Sequence, residues 1–303
     1  MKAHHAIILA IAATLLAEPG QASAAGEIYQ PPLGFWIAPS NHDNTLYAPT
    51  SSSANWHVSQ WSIPQDLPGF NAQGVAQNQS ARVAWLGAGR YELSQDGSSL
   101  PCYKVFPSGR RLPDEFDLFT TPNNIDVPGY PQAAGAGAGI SLDAVTSLDA
   151  SITLDVTRAD EVDASCPITR TAFLLAVVLS NPVSRQTLFL QIQLGTIRFD
   201  NPNSEITTGW FFKGRNNQSG GVGAWGYNDN VTSYGQPWAS VGGAETYRLD
   251  LLPRLRGIIA DGEDSGLDQD LSHWRVAGTY HGQSVWGHVR NDVIWSGFSL
   301  ATE

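Results

Sequence analysis

SLDASITLDV (Ser147–Val156), TAFLLAVVL (Thr171–Leu179) and TLFLQIQLGTIRF (Thr187–Phe199) are the segments from which the fold is read. In the first, Leu148, Ala150, Ile152, Leu154 and Val156 alternate with Ser147, Asp149, Ser151, Thr153 and Asp155, the period of a strand with one face wet and one buried. The second is apolar on both faces. Asn181-Pro182 then supplies a turn, and the third returns with β-branched and aromatic residues, so the pair predicts a hairpin with a wide buried face. Gln191 and Gln193 put two amides on one face of the return strand.

Working outward, Ser80–Leu86 and Arg90–Leu93 are expected as strands among loops. Towards the C-terminus, His273–Tyr280 and Ser284–Val289 are expected as strands separated by His281-Gly282, with Val293–Leu300 following. Thr246–Ala260 carries leucines and isoleucines at helical spacing and is expected as the one helix, shortened or kinked at Pro253. Gly 30, Pro 18 and Trp 10 against 15% charged residues describe a chain rich in turns and aromatics. Short strands with a single helix predict an all-β, two-sheet antiparallel β-sandwich, a jelly roll. The low-complexity run Gln132–Ile140 reads as a loop within that unit.

The first residues carry an address. Lys2 precedes an apolar run from Ala6 to Ala17, and Ala22-Ser23-Ala24 is a small-x-small cleavage pattern. The run is shorter than the roughly 20 residues that span a bilayer. Residues 1–24 are therefore read as a secretory signal peptide, and 25–303 as one β-sandwich domain working outside the cytoplasm. Export fits a disulfide between Cys102 and Cys166, the two cysteines of the chain. A net charge of −11 disfavours nucleic acid and anionic lipid as partners.

Nucleophile-elbow, zinc-protease and phosphate-loop motifs are absent from the sequence. Metal ligands and an organic cofactor are not expected: the histidines are scattered, and the acidic run Asp261–Asp270 lacks calcium-loop spacing. Interest centres on Asp114-Glu115-Phe116-Asp117-Leu118-Phe119. This run resembles the active-site strand of the laminarinase-type β-glucanases, concanavalin A-like jelly rolls in which Glu-x-Asp-x-Glu directs three carboxyl groups to one side of a strand. The resemblance implies a nucleophile at Glu115 and its partner at Asp117. Phe119 stands where the third carboxylate would be, so an acid must come from elsewhere, and Glu205, beside Trp210-Phe211-Phe212, is the candidate.

Trp210, Trp225, Tyr227, Tyr234 and Trp238 are threaded through the Gly/Asn/Ser-rich stretch Gly209–Gly243. Aromatic planes pack on sugar C–H faces and amides bond hydroxyls, which predicts a neutral-glycan site using Trp210, Trp225, Tyr227, Trp238, Gln191 and Gln193. The competing reading folds the stretch back on its own aromatics. The function expected is that of a glycoside hydrolase on a neutral poly- or oligosaccharide, with a non-catalytic lectin or surface interaction protein as the alternative.

Overall fold

A computed structural model describes residues 26–29, 31–38, 47–61, 65–105, 109, 111–113, 115–122, 140–201, 207–215 and 223–303. In chain order its elements are β1 (Gly26–Glu27), β2 (Phe35–Ile37), β3 (Trp56–Trp61), β4 (Val75–Gln77), β5 (Ala81–Gly87), β6 (Arg90–Asp96), β7 (Tyr103–Val105), β8 (Arg111–Pro113) and β9 (Glu115–Pro122). Then come β10 (Leu148–Glu161), β11 (Arg170–Asn181), β12 (Gln186–Arg198), β13 (Gly209–Arg215), β14 (Gly223–Asn230), β15 (Ala244–Asp250), α1 (Leu252–Asp261), β16 (Arg275–Trp286) and β17 (Val289–Thr302). Residues 1–25, with the signal-peptide reading, lie outside the described residues, as do 132–139 of the low-complexity run. No helix among the described residues is long and apolar enough to cross a membrane.

The fold is a two-sheet β-sandwich. Sheet A runs β15-β10-β17-β6-β5-β4, with β1 also pairing β17; sheet B runs β13-β14-β12-β11-β16-β9-β3-β2; β7 and β8 form a separate hairpin. The alternation of β10 is realised residue by residue, with Leu148, Ala150, Ile152, Leu154 and Val156 buried against sheet B. From sheet B, Phe173, Leu175, Val177 and Leu179 of β11 and Leu188, Leu190, Ile192 and Leu194 of β12 enter the same core. Asn181 Oδ1 accepts from the amides of Val183 and Ser184 and so closes the expected turn.

Three expectations are corrected. The sandwich is not wholly antiparallel, because β12 pairs β14 and β2 pairs β3 in parallel. His281-Gly282 does not divide two strands: β16 runs through it unbroken, since both residues have ladder partners in β9 and β11. Thr246 starts no helix; Ala244–Asp250 is strand β15, with Tyr247 and Leu249 in the core, and α1 begins at Leu252 with Pro253 in its first turn, where a missing N–H costs nothing. Leu252, Leu255, Ile258 and Ile259 form its buried stripe.

A polar network crosses the core beside β16. Gln283 Nε2 donates to Leu93 O and Asn291 Oδ1, Trp295 Nε1 donates to Gln283 Oε1, and Asn291 Nδ2 reaches Thr171 Oγ1. Thr171 Oγ1 in turn donates to Ser284 O at 3.0 Å. Buried polar groups require partners, and these bonds fix the register of β16 and β11 against sheet A. Nearby, the Tyr91 hydroxyl bonds Thr120 Oγ1 at 2.9 Å and His281 Nε2, joining the two sheets directly.

Cys102 and Cys166 are disulfide-bonded, 64 residues apart. Closing such a loop stabilises by about 4 kcal/mol in the chain-entropy model.

Candidate functional site

Successive side chains of a strand point to opposite faces, so the register that sends Phe116 and Leu118 inward turns Glu115, Asp117 and Phe119 to the outer face of sheet B. The same alternation turns Tyr280, Gly282, Ser284 and Trp286 of β16, Arg170, Ala172 and Leu174 of β11, and Gln191 and Gln193 of β12 to that face, where Gly282, Ser284, Ala172 and Leu174 are buried beneath their neighbours. Asp117 lies between Trp61 of β3 and Ser284 of β16 as ladder partners; Glu115 lies opposite Trp286, which lies opposite Arg170.

Aromatic rings frame the pair. Phe119 packs at 5.4 Å against Trp61 and 5.2 Å against Tyr280. The Tyr280 hydroxyl accepts from Gln191 Nε2. Phe189 and Tyr280 cover a small apolar cluster of Val178 and Ala277. The strip between the rings is floored by Gly282, Ala172 and Ser284, short residues that leave the backbone near the surface. Gly282 can be nothing larger, since a Cβ there would lie 2.1 Å from Leu118 O.

Burial pushes the Asp117 carboxyl well above its usual range, the charge of Glu115 pushes it further, and the Ser284 hydroxyl pulls weakly the other way. Oδ1 of Asp117 and Oγ of Ser284 are both buried without a well-formed hydrogen bond, and Nε of Arg170, one ladder row away, is a third such atom. Unsatisfied buried polar atoms are rare in folded proteins, and these three lie on one face, Asp117 and Ser284 as ladder partners and Arg170 two strands from Asp117. The patch offers a carboxyl whose neutral form burial favours, a second carboxyl beside it, and aromatic surface on two sides.

Of the residues singled out in the sequence, Glu115, Asp117, Gln191 and Gln193 share this face. Glu205 lies outside the described residues. Trp225 does not join them: its register with Leu188 turns it inward, where it is 3% exposed and donates to Ser265 Oγ at 2.8 Å. Trp210 and Tyr227 pack edge to face at 5.2 Å on the same inner side, and Trp210 Nε1 donates to Asp261 Oδ2. Tyr227 also receives Arg254, which pairs with the buried Asp229 at 2.6 Å. Trp238 and Tyr234 are half-buried against the core. Among the described residues of Gly209–Gly243, these aromatics thus pack on one another and on the core. Sequence reading passed over Trp61, Tyr280, Ser284, Trp286 and Arg170, and the signal available was the alternation Tyr280, Gly282, Ser284, Trp286, hidden by placing a break at His281-Gly282.

Other clusters are accounted for structurally. Cys102, Cys166 and His288 lie together, but the sulfurs are bonded to each other and unable to ligate a metal. Ser165 Oγ and Asp163 Oδ2 both meet His288 Nδ1, at 3.0 and 2.8 Å, whereas a nucleophilic triad needs them on opposite ring nitrogens. Nε2 of His288 instead faces Leu100 O. A pocket of about 250 Å³ on the outer face of sheet A is lined by Arg82, Arg158 and Arg290, each already paired with Glu92, Asp160 or Asp96.

No family model matches the chain, and no curated protein matches its sequence. Among solved structures it is similar to a family 12 xyloglucanase from Bacillus licheniformis in complex with ligand, at TM-score 0.45 and 13% identity over 81% of this chain and 99% of that one. It is similar also to the family 11 xylanase from Neocallimastix patriciarum, at 0.44 and 9% over 84% and 98%. The xyloglucanase domain of NopAA from Sinorhizobium fredii in complex with cellobiose stands at 0.39 and 11% over 80% and 98%. What the chain does has to be argued from its own residues.

Proposed function

We propose that the protein is an exported glycoside hydrolase that takes a glycan along the outer face of sheet B, with Asp117 as proton donor and Glu115 as its carboxylate partner. The observation that carries this reading is the carboxyl pair on an aromatic-framed face, with burial raising the pKa of one member. Cleaving a glycosidic bond requires an acid to protonate the leaving oxygen and a negative charge to stabilise the oxocarbenium-like transition state. Asp117 supplies the first and Glu115 the second. Trp61, Phe119 and Tyr280 supply planes against which sugar rings pack, and Gln191 and Gln193 supply amides for hydroxyls. Glu205, outside the described residues, is kept as a candidate third carboxylate on the strength of its sequence context alone. Residues 1–24 act as the export leader, in keeping with the disulfide.

One observation favours the lectin alternative: across the ladder from Asp117 the described residues are Ser284, Ala172 and Thr196, none of them a carboxylate. Release of reducing ends and binding, measured on one panel of soluble glycans with wild type, D117N and E115Q, separates the readings. Turnover lost in both variants supports the hydrolase. Binding without turnover in wild type makes the protein a lectin, and neither signal removes the carbohydrate reading altogether.

A further inference from the structure

Arg170 is a half-buried guanidinium with no acceptor. Among the described residues it makes no ion pair and no hydrogen bond, and its Nε is buried without a partner. It is nonetheless held in place, with Cζ 4.2 Å from the centre of the Trp286 ring. Directly opposite on β12 stands Arg198, whose charge is answered by Asp200 at 2.9 Å. Like charges opposed across a ladder are unfavourable, and burial together with Arg198 lowers the Arg170 pKa. The acids facing Arg170 are Glu115 and Asp200; Asp200 is engaged by Arg198, and Glu115 adjoins Asp117 two strands away, about 10 Å at ordinary strand spacing. Among the described residues no acceptor uses the planar donors that Arg170 presents. An arginine held over an indole, partly desolvated and beside a second arginine, is preorganised for bidentate capture of a carboxylate.

We propose that Arg170, seated on Trp286 and flanked by Arg198, is a subsite for the carboxylate of a uronic acid residue carried by an otherwise uncharged glycan. The inference rests on the carbohydrate reading of this face and names the substrate class. A polyanion is disfavoured by the net charge of −11, whereas one acid in a neutral chain meets the local charges, Arg170 and Arg198 set against Asp200 and the more distant Glu115. The row Glu115, Trp286, Arg170 sets the acidic sugar beside the carboxyl pair, so the same subsite fixes where along the chain a bond would be presented.

The test is calorimetric binding at constant ionic strength of a neutral β-linked tetrasaccharide and of the same tetrasaccharide bearing one glucuronic acid branch, across several backbones. A charged hydrogen-bonded contact is worth about 1.5–3 kcal/mol, so wild type is expected to prefer the acidic probe by roughly 10- to 100-fold. R170Q is expected to bring the two probes within about twofold of each other, and R170K, which keeps charge but loses the planar fork, to restore only part of the preference. Thermal melts of both variants establish that they are folded. Equal affinity of wild type for the two probes, or a preference that survives in R170Q, overturns the subsite and leaves the glycan reading standing. Failure of wild type to bind either probe overturns both.

Discussion

Asp117 sits in a place that favours its neutral form, and that has a cost in stability that can be read. Its folded pKa is raised, so at pH 7 folding must either desolvate a charge or take up a proton; the unfolded chain, with an ordinary aspartate near 3.9, needs neither. Below that value both states are protonated and the penalty vanishes. Asp117→Asn is therefore expected to stabilise at pH 7 by on the order of 1 kcal/mol, to lose that gain below about pH 4, and to abolish turnover. Denaturant melts at the two pH values check it. Trp225 has the opposite character. As a core residue, its replacement by Ala is expected to cost about 3–5 kcal/mol, and thermal unfolding of Trp225→Ala against Trp286→Ala, which lies on the outer face, shows whether the large loss is confined to the former. The site was legible in the sequence to the extent of Glu115, Asp117, Gln191 and Gln193, because period-two patterning assigns a face. It was illegible for the tryptophans, because a Gly/Asn-rich context does not reveal which face of β14 is buried; only the register with Leu188 does.

Strand existence was legible wherever alternation or a long apolar run was strong, as in β10, β11 and β12. It failed at β15 and β16 for two physical reasons. Leucines of a strand running directly into a helix mimic one continuous helical period, and Pro253, taken as a kink, is in fact the first turn. His-Gly within β16 resembles a turn, yet here both residues serve the sheet. Glycine lets β9 approach, and histidine crosses to Tyr91. Gly282→Ala is thus expected to act on the element and not merely on one contact. A methyl group 2.1 Å from Leu118 O and 2.7 Å from Phe119 Cα must push β9 and β16 apart at the row beside Asp117 and Ser284. Destabilisation by several kcal/mol is expected, with loss of amide protection along Phe116–Thr120 in hydrogen exchange.

Across the whole molecule, the inter-sheet bond at His281 links stability to acidity. The ring stacks on Phe298 at 4.8 Å and lies beside Trp56 and Trp295, and burial pulls its pKa down to about 3. Unfolded histidine titrates near 6.5, so below that pH the unfolded chain binds a proton that the folded one refuses. This group's contribution to stability is full above pH 6.5 and falls by up to about 1.4 kcal/mol per pH unit until about pH 3. His281→Phe is expected to flatten that part of the stability–pH curve, which urea titrations between pH 3 and 7 would resolve. A slope unchanged by the substitution would contradict this account. Sheet order has a consequence for biosynthesis. The last two of the described strands in chain order, β16 and β17, are central in sheets B and A, between β11 and β9 and between β10 and β6. Until residues 275–303 leave the ribosome, each sheet consists of two separate halves, and neither half can close over the other. Without them β11, β9, β10 and β6 each lack one neighbour, so both sheets are completed in one late step. Chains arrested before residue 275 are expected to be digested throughout by added protease, while chains extended past 303 by a linker spanning the exit tunnel resist it.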